Sequence, residues 1–92
     1  MIVRIATEGQ YRLPEDDAET LNALDNDAVT AVDTGDEDRF HEVFEQMLDL
    51  VRREGTPLGE DELEESDVIL PPPDISFVEA SEEFTGDGLI PD

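Results

Sequence analysis

The sequence predicts an α+β fold: an N-terminal β-hairpin packed on an antiparallel helix pair, with an extended proline-rich segment and a short C-terminal helix laid over them. Three observations lead there. Two short runs rich in β-branched and aromatic residues flank a glycine-containing turn near the N-terminus. Two apolar stripes at helical spacing follow, separated by Gly35. Then Pro71-Pro72-Pro73 denies the next segment a regular helix. The 92 residues make one domain, divided into a hairpin over 1–14, a helix pair over 16–55, and an extended segment with a short helix over 56–92.

Ile2-Val3-Arg4-Ile5-Ala6 and Tyr11-Arg12-Leu13, separated by Thr7-Glu8-Gly9-Gln10, read as the two hairpin strands. Pro14 ends the second, because it has no N–H for a ladder. Asp16 followed by Glu19 resembles a capping box, and Asp17 adds negative charge where a helix N-terminus favours it. Leu21, Leu24, Ala28, Val29 and Val32 recur at three- and four-residue steps, which places them on one face of a helix over 17–34. Gly35 stops that helix and Asp36 caps the next. Phe40, Val43, Phe44, Met47, Leu48 and Val51 form the second stripe, ended by Gly55 and Pro57. So short a connection folds the two helices into a hairpin.

From Thr56 onward acids dominate until Val68-Ile69-Leu70 runs into the prolines, which favour an extended polyproline conformation. Ser76-Phe77-Val78-Glu79 then opens a capping-box helix with Phe77, Ala80 and Phe84 at helical spacing, closing at Gly86 and Gly88. A helix of two or three turns is marginal alone, so this one needs Phe77 and Phe84 docked on the helix pair.

The charge sets the partners. There are 27 acidic residues against five basic ones, all five of them arginine (4, 12, 39, 52 and 53), for a net charge of −22. Self-repulsion of that size opposes a compact state in dilute buffer, and molar salt, with a Debye length of about 3 Å, removes most of it. The acids run from Glu8 to Asp92. That spread points to adaptation to a salty cytoplasm; the competing reading is an acidic patch that binds something basic. Phosphate backbones and anionic lipid would both repel such a chain, so no nucleic-acid partner and no direct membrane insertion are expected. Met1-Ile2-Val3-Arg4 is unlike a secretory leader, and the longest apolar runs of about three residues are far short of a bilayer span, so a cytoplasmic location is expected. The absence of cysteine fits that compartment.

No pattern carries catalytic chemistry, and no enzyme activity, cofactor or metal is expected. His41, the sole histidine, falls about 100° round the helix from Phe40, at the edge of the apolar stripe. Calcium loops opening at Asp25 or Asp33 place Thr30 or Asp38 where the sixth-position glycine belongs. Thr85-Gly86-Asp87-Gly88 lacks the lysine of a phosphate loop. Two unusual features remain: Tyr11 beside Arg12 on a short strand, and Val68-Ile69-Leu70 before the prolines. An apolar triplet feeding prolines docks in extended form at low entropic cost, either on its own domain or on a partner. Tyr11, Arg12, Val68, Ile69 and Leu70 are therefore the candidate partner-binding residues.

Taken in order, Met1-Ile2-Val3-Arg4-Ile5, Glu8-Gly9-Gln10-Tyr11-Arg12-Leu13, Leu21-Asn22-Ala23-Leu24-Asp25, Gly55-Thr56-Pro57-Leu58, Asp61-Glu62-Leu63, Ser66-Asp67, Leu70-Pro71-Pro72-Pro73-Asp74 and Gly88-Leu89-Ile90-Pro91 resemble the phage-shock-protein-A-associated (PspAA) family. The resemblance implies a small, mainly helical cytoplasmic companion of a phage-shock-protein-A-like coiled-coil protein in the membrane and envelope stress response of archaea and actinobacteria. It implies no catalytic residues. The acid excess without lysine suggests a halophilic, archaeal member. The rival function is an acidic decoy that occupies the basic surface of a nucleic-acid-binding protein.

Overall fold

The computed structural model describes residues 1–84. Its elements run β1 (Ile2–Ile5), β2 (Gly9–Arg12), α1 (Glu15–Thr34), α2 (Glu37–Glu54), β3 (Thr56–Pro57), a 3-10 turn at Glu60–Glu62, β4 (Val68–Leu70) and α3 (Phe77–Glu83). The fold is α+β, with N-terminal strands, two long packed helices and a short C-terminal helix.

β1 and β2 form the expected hairpin, in a register that sets Val3 opposite Tyr11 and Ile5 opposite Gly9. The turn is shorter than the sequence reading allowed, because Gly9 and Gln10 already belong to the strand. Thr7 takes a positive φ of 74° to close it. The hairpin is only the middle of a larger sheet, whose strand order is β3-β2-β1-β4. β3 pairs antiparallel to β2 through Tyr11 and Pro57, and β4 pairs parallel to β1 through Val3–Val68 and Ile5–Leu70. The segment expected to be merely extended thus supplies both edges.

The helices start and stop by distinct devices. α1 begins two residues before the expected position, with Pro14 as its N-cap and no side-chain cap, so the Asp16–Glu19 box is not used. The Pro14 carbonyl instead accepts from Asp17 and Ala18 at 3.1 and 3.0 Å. At its end Gly35 adopts φ 72°, and the N–H groups of Gly35 and Asp36 return to the carbonyls of Val32 and Ala31, the Schellman pattern. Asp36 caps α2 as expected, accepting from the Arg39 N–H at 3.1 Å. Gly55 follows α2 in extended conformation. A Cβ there would lie 2.4 Å from the Val51 carbonyl oxygen and 3.0 Å from the Tyr11 Cβ, so only glycine lets the chain turn this tightly into β3.

The inner face of the sheet meets the helix layer. Val3, Ile5, Val68 and Leu70 are buried there against Leu21, Ala28, Phe40, Met47 and Val51. Two residues of the expected α1 stripe, Leu24 and Val32, are only partly buried, while Asp25 is fully buried. The wheel places Asp25 within the buried face: at about 100° per residue it lies about 40° from Leu21, between Leu21 and Ala18, whereas Leu24 lies about 60° to the other side. The α2 stripe is buried throughout, with Leu50 added to it.

α3 is held by aromatic packing. All four phenylalanines meet: Phe40 lies 5.6 Å from Phe44, 5.8 Å from Phe77 and 5.2 Å from Phe84, between ring centroids. Ser76 caps α3 by accepting from the Glu79 N–H. The expected polyproline run is cut short by a turn in which the Ile75 N–H donates to the Pro72 carbonyl at 3.0 Å. The expected stop at Gly86 and Gly88 lies outside the described residues.

Candidate partner-binding surface

Strand alternation decides which side chains of the sheet are available. Val3, Ile5, Tyr11, Val68 and Leu70 point inward, and Ile2, Arg4, Gln10, Arg12 and Ile69 point outward. β3 and β4 lie on opposite edges, so the connection over residues 58–67 has to cross the outer face. Gln10, itself buried, holds it there. Its amide nitrogen donates to the Glu64 carbonyl and to the Ser66 hydroxyl, the latter at 2.7 Å, and its amide oxygen accepts from the Glu64 N–H at 3.2 Å. Arg12 pairs with the Glu64 carboxylate, and the Ile2 N–H donates to the Asp67 carboxylate at 2.8 Å. The sequence reading sets Gln10 in the hairpin turn, and a glutamine there carries no local sign that its partners lie 54 and 56 positions away.

The five candidate residues therefore part company. Val68 and Leu70 are 2% and 0% exposed and belong to the core, so the apolar triplet packs on its own domain at those two positions. Tyr11 is half-buried against the core beside Gly55. Arg12 is exposed on the other face, already engaged by Glu64, so the aromatic and the cation do not form one patch. Ile69 alone of the triplet faces solvent, with 59% exposure, next to Arg4 on the outer face and on the outermost strand of the sheet among the described residues.

A groove of about 290 Å³ opens beside that edge. Its floor is Ile69, Pro72 and Ile75, and its far wall is the acidic face of α3, Glu79, Glu82 and Glu83. Two other hollows lie on the helix layer, one walled by Glu45, Asp49, Arg52 and Pro73, the other by Leu24, Asp49 and Arg53. His41 lines none of the three; it is exposed, 3.8 Å from Glu37. Among the described residues no three His, Asp or Glu side chains are grouped to hold a metal ion. No helix among them is long and apolar enough to cross a membrane.

Electrostatic contacts tie the sheet to the helices. Arg52 near the end of α2 grips Glu8 of the hairpin turn with two nitrogens, one at 3.0 Å, and that hydrogen bonding raises the guanidinium pKa above its ordinary value. Arg39 pairs with Glu42 and Asp27, and Arg53 with Asp49 and Glu54. Among the described residues the large hydrophobic side chains left exposed on this acidic surface are Leu63, Ile69 and Val78, and of these Ile69 lies on a strand of the sheet.

The sequence profile of the PspA-associated protein family, PspAA, matches residues 1–92, the entire chain. The chain belongs to that family. Comparison with curated proteins and with solved structures finds no match. Membership associates the chain with a PspA-like partner.

Proposed function

We propose that the chain is a non-catalytic adaptor that binds a PspA-like coiled-coil protein and regulates it in the membrane and envelope stress response. The observation that carries this reading is the family match over residues 1–92. Three features support it. The surface offers an exposed apolar side chain at Ile69, the contacts of the lone histidine among the described residues are with Glu37 and Phe40, and the negative charge disfavours direct contact with anionic lipid or nucleic acid. The protein would act in the cytoplasm of a halophile, reaching the membrane only through its partner.

The test is affinity capture of the full chain from its native cells in about 2 M KCl, followed by calorimetric titration with the purified PspA-like protein. Apolar contacts persist when charges are screened, so binding holds or strengthens between about 0.5 and 3 M KCl. Steady loss of affinity over that range, with retention of basic nucleic-acid-binding proteins instead, would favour the acidic decoy suggested by the net charge of −22. No binding of the PspA-like protein at any salt would end the adaptor reading.

A further inference from the structure

The edge of β4 and the wall of α3 together specify what they can hold. Among the described residues β4 pairs only with β1, and its three residues run into Pro71, Pro72 and Pro73. Prolines carry no N–H, so the continuation of this edge offers no donors, and the Pro72 carbonyl already accepts from the Ile75 N–H. Ile69 projects from the edge on the outer face, 59% exposed. On the helix side, Glu79, Glu82 and Glu83 of α3 border the same groove, whose floor is Pro72 and Ile75. None of these three carboxylates is ion-paired among the described residues.

An acidic border beside a sheet edge is selective. Where salt is low enough to leave charge unscreened, a second copy of this chain, with its own net charge of −22, would be repelled. A strand carrying lysine or arginine would be attracted, and its ammonium or guanidinium donors match the carboxylates. Because side chains of an added strand alternate, one set would lie beside Ile69 and the other would point toward α3. We infer that the groove between β4 and α3 binds an extended segment of the partner in which apolar residues alternate with lysine or arginine. The apolar set packs on Ile69 and the cationic set pairs with Glu79, Glu82 and Glu83. Arg4, next to Ile69 on the outer face, excludes cations from the apolar set. With only three residues of strand to pair, side chains carry most of the affinity. The inference rests on the adaptor reading for the identity of the partner, and on the groove alone for its chemistry.

The experiment therefore has two arms, both with the full chain in about 0.5 M and 3 M KCl. In the first, the PspA-like protein is titrated into the wild type, into Ile69→Asp and Ile69→Ser, and into E79Q/E82Q/E83Q, each first shown by circular dichroism to be folded. Both Ile69 variants lose about tenfold or more in affinity at either salt. The glutamine variant loses about fivefold at 0.5 M KCl and little at 3 M, as exposed ion pairs are screened. In the second arm, a synthetic peptide of alternating valine and lysine is titrated into isotope-labelled protein. Amide shifts confined to Ile69, Leu70, Glu79, Glu82 and Glu83 are expected.

Binding of the PspA-like protein that is indifferent to every variant overturns the groove and leaves the adaptor standing. Localised peptide shifts without binding of that protein overturn the adaptor and leave the groove. Peptide shifts spread over the acids of α1 and α2 overturn the groove. So does a wild-type dimer that Ile69→Asp converts to monomer, which would make a second copy the occupant. So too do shifts of Leu89 and Ile90 in the peptide-free Ile69→Asp protein, which would make the chain's own C-terminal residues the occupant.

Discussion

The side chain of Gln10 donates a 2.7 Å hydrogen bond to the hydroxyl of Ser66, 56 positions further along the chain. With its two bonds to the Glu64 backbone, that contact fixes the 58–67 crossing against the outer face of the sheet and so delivers β4 to its edge. Gln10 is 3% exposed and its amide is used in both directions, as donor and as acceptor. Gln10→Leu strips all three bonds from a buried position and is expected to cost about 1–3 kcal/mol in a denaturant melt. Ser66→Ala leaves the Glu64 bonds intact and should cost no more than about 1 kcal/mol. Equal and negligible effects would mean that the crossing is not held through Gln10.

Gly55 and Gly35 separate two reasons for glycine. At Gly55 an added Cβ meets backbone, the Val51 carbonyl oxygen at 2.4 Å, and nothing flexible can move aside. At Gly35 there is open space but a left-handed φ of 72°. Gly55→Ala is therefore expected to lower stability by about 1–3 kcal/mol, as an overpacked site does. Gly35→Ala is expected to lower it by roughly 1 kcal/mol from backbone strain alone. Gly35→Asn should recover part of the loss, since asparagine tolerates that conformation; Gly55→Asn should recover none.

The two leucines of α1 differ by burial. Leu21 is fully buried and Leu24 only partly. Leu21→Ala should cost about 2–5 kcal/mol, enough to threaten a domain of this size, and Leu24→Ala clearly less. Glu37→Ala on the exposed first turn of α2 should stay within about 0.5 kcal/mol. Thermal melts in molar KCl rank the three. A loss at Leu24 equal to that at Leu21 would return it to the centre of the core.

α3 has seven residues, too few to hold a helix unaided. Its anchor is Phe84, fully buried and 5.2 Å from Phe40. Phe84→Ala should cost about 3–5 kcal/mol in stability. Hydrogen exchange at Ala80 and Phe84, whose N–H groups donate to Ser76 and Ala80, should then accelerate more than exchange in α1. Uniform acceleration across the chain would show that α3 unfolds only with the whole domain.

Salt acts on the entire molecule. With a net charge of −22, helix content by circular dichroism should be full in about 2 M KCl and fall below about 0.2 M, where the Debye length lengthens and repulsion grows. Unchanged ellipticity and melting temperature over that range would argue that the acids are not an adaptation to salt.

The sequence by itself determined the helix pair, its Gly35 stop, the Asp36 and Ser76 caps, the N-terminal hairpin and the acid excess. Each of these is local or compositional: a helix closes its hydrogen bonds four residues back, and a cap reaches three residues ahead, so a window of a dozen positions contains the cause. Tyr11 beside Arg12 read as one feature until the β1–β2 register set them on opposite faces. Tertiary structure alone decided the rest. Val68–Leu70 reads equally as a strand of its own domain or as bait for a partner until its pairing with Val3–Ile5 is seen, because a strand's hydrogen bonds are made with distant chain. Apolar periodicity overlooks polar residues, so Asp25 was passed over for Leu24, and Gln10 for its neighbour Tyr11. The exposure of Ile69 beside Glu79, Glu82 and Glu83 is likewise set by where β4 and α3 come to lie, since sequence spacing cannot say which side of a strand the rest of the molecule will cover.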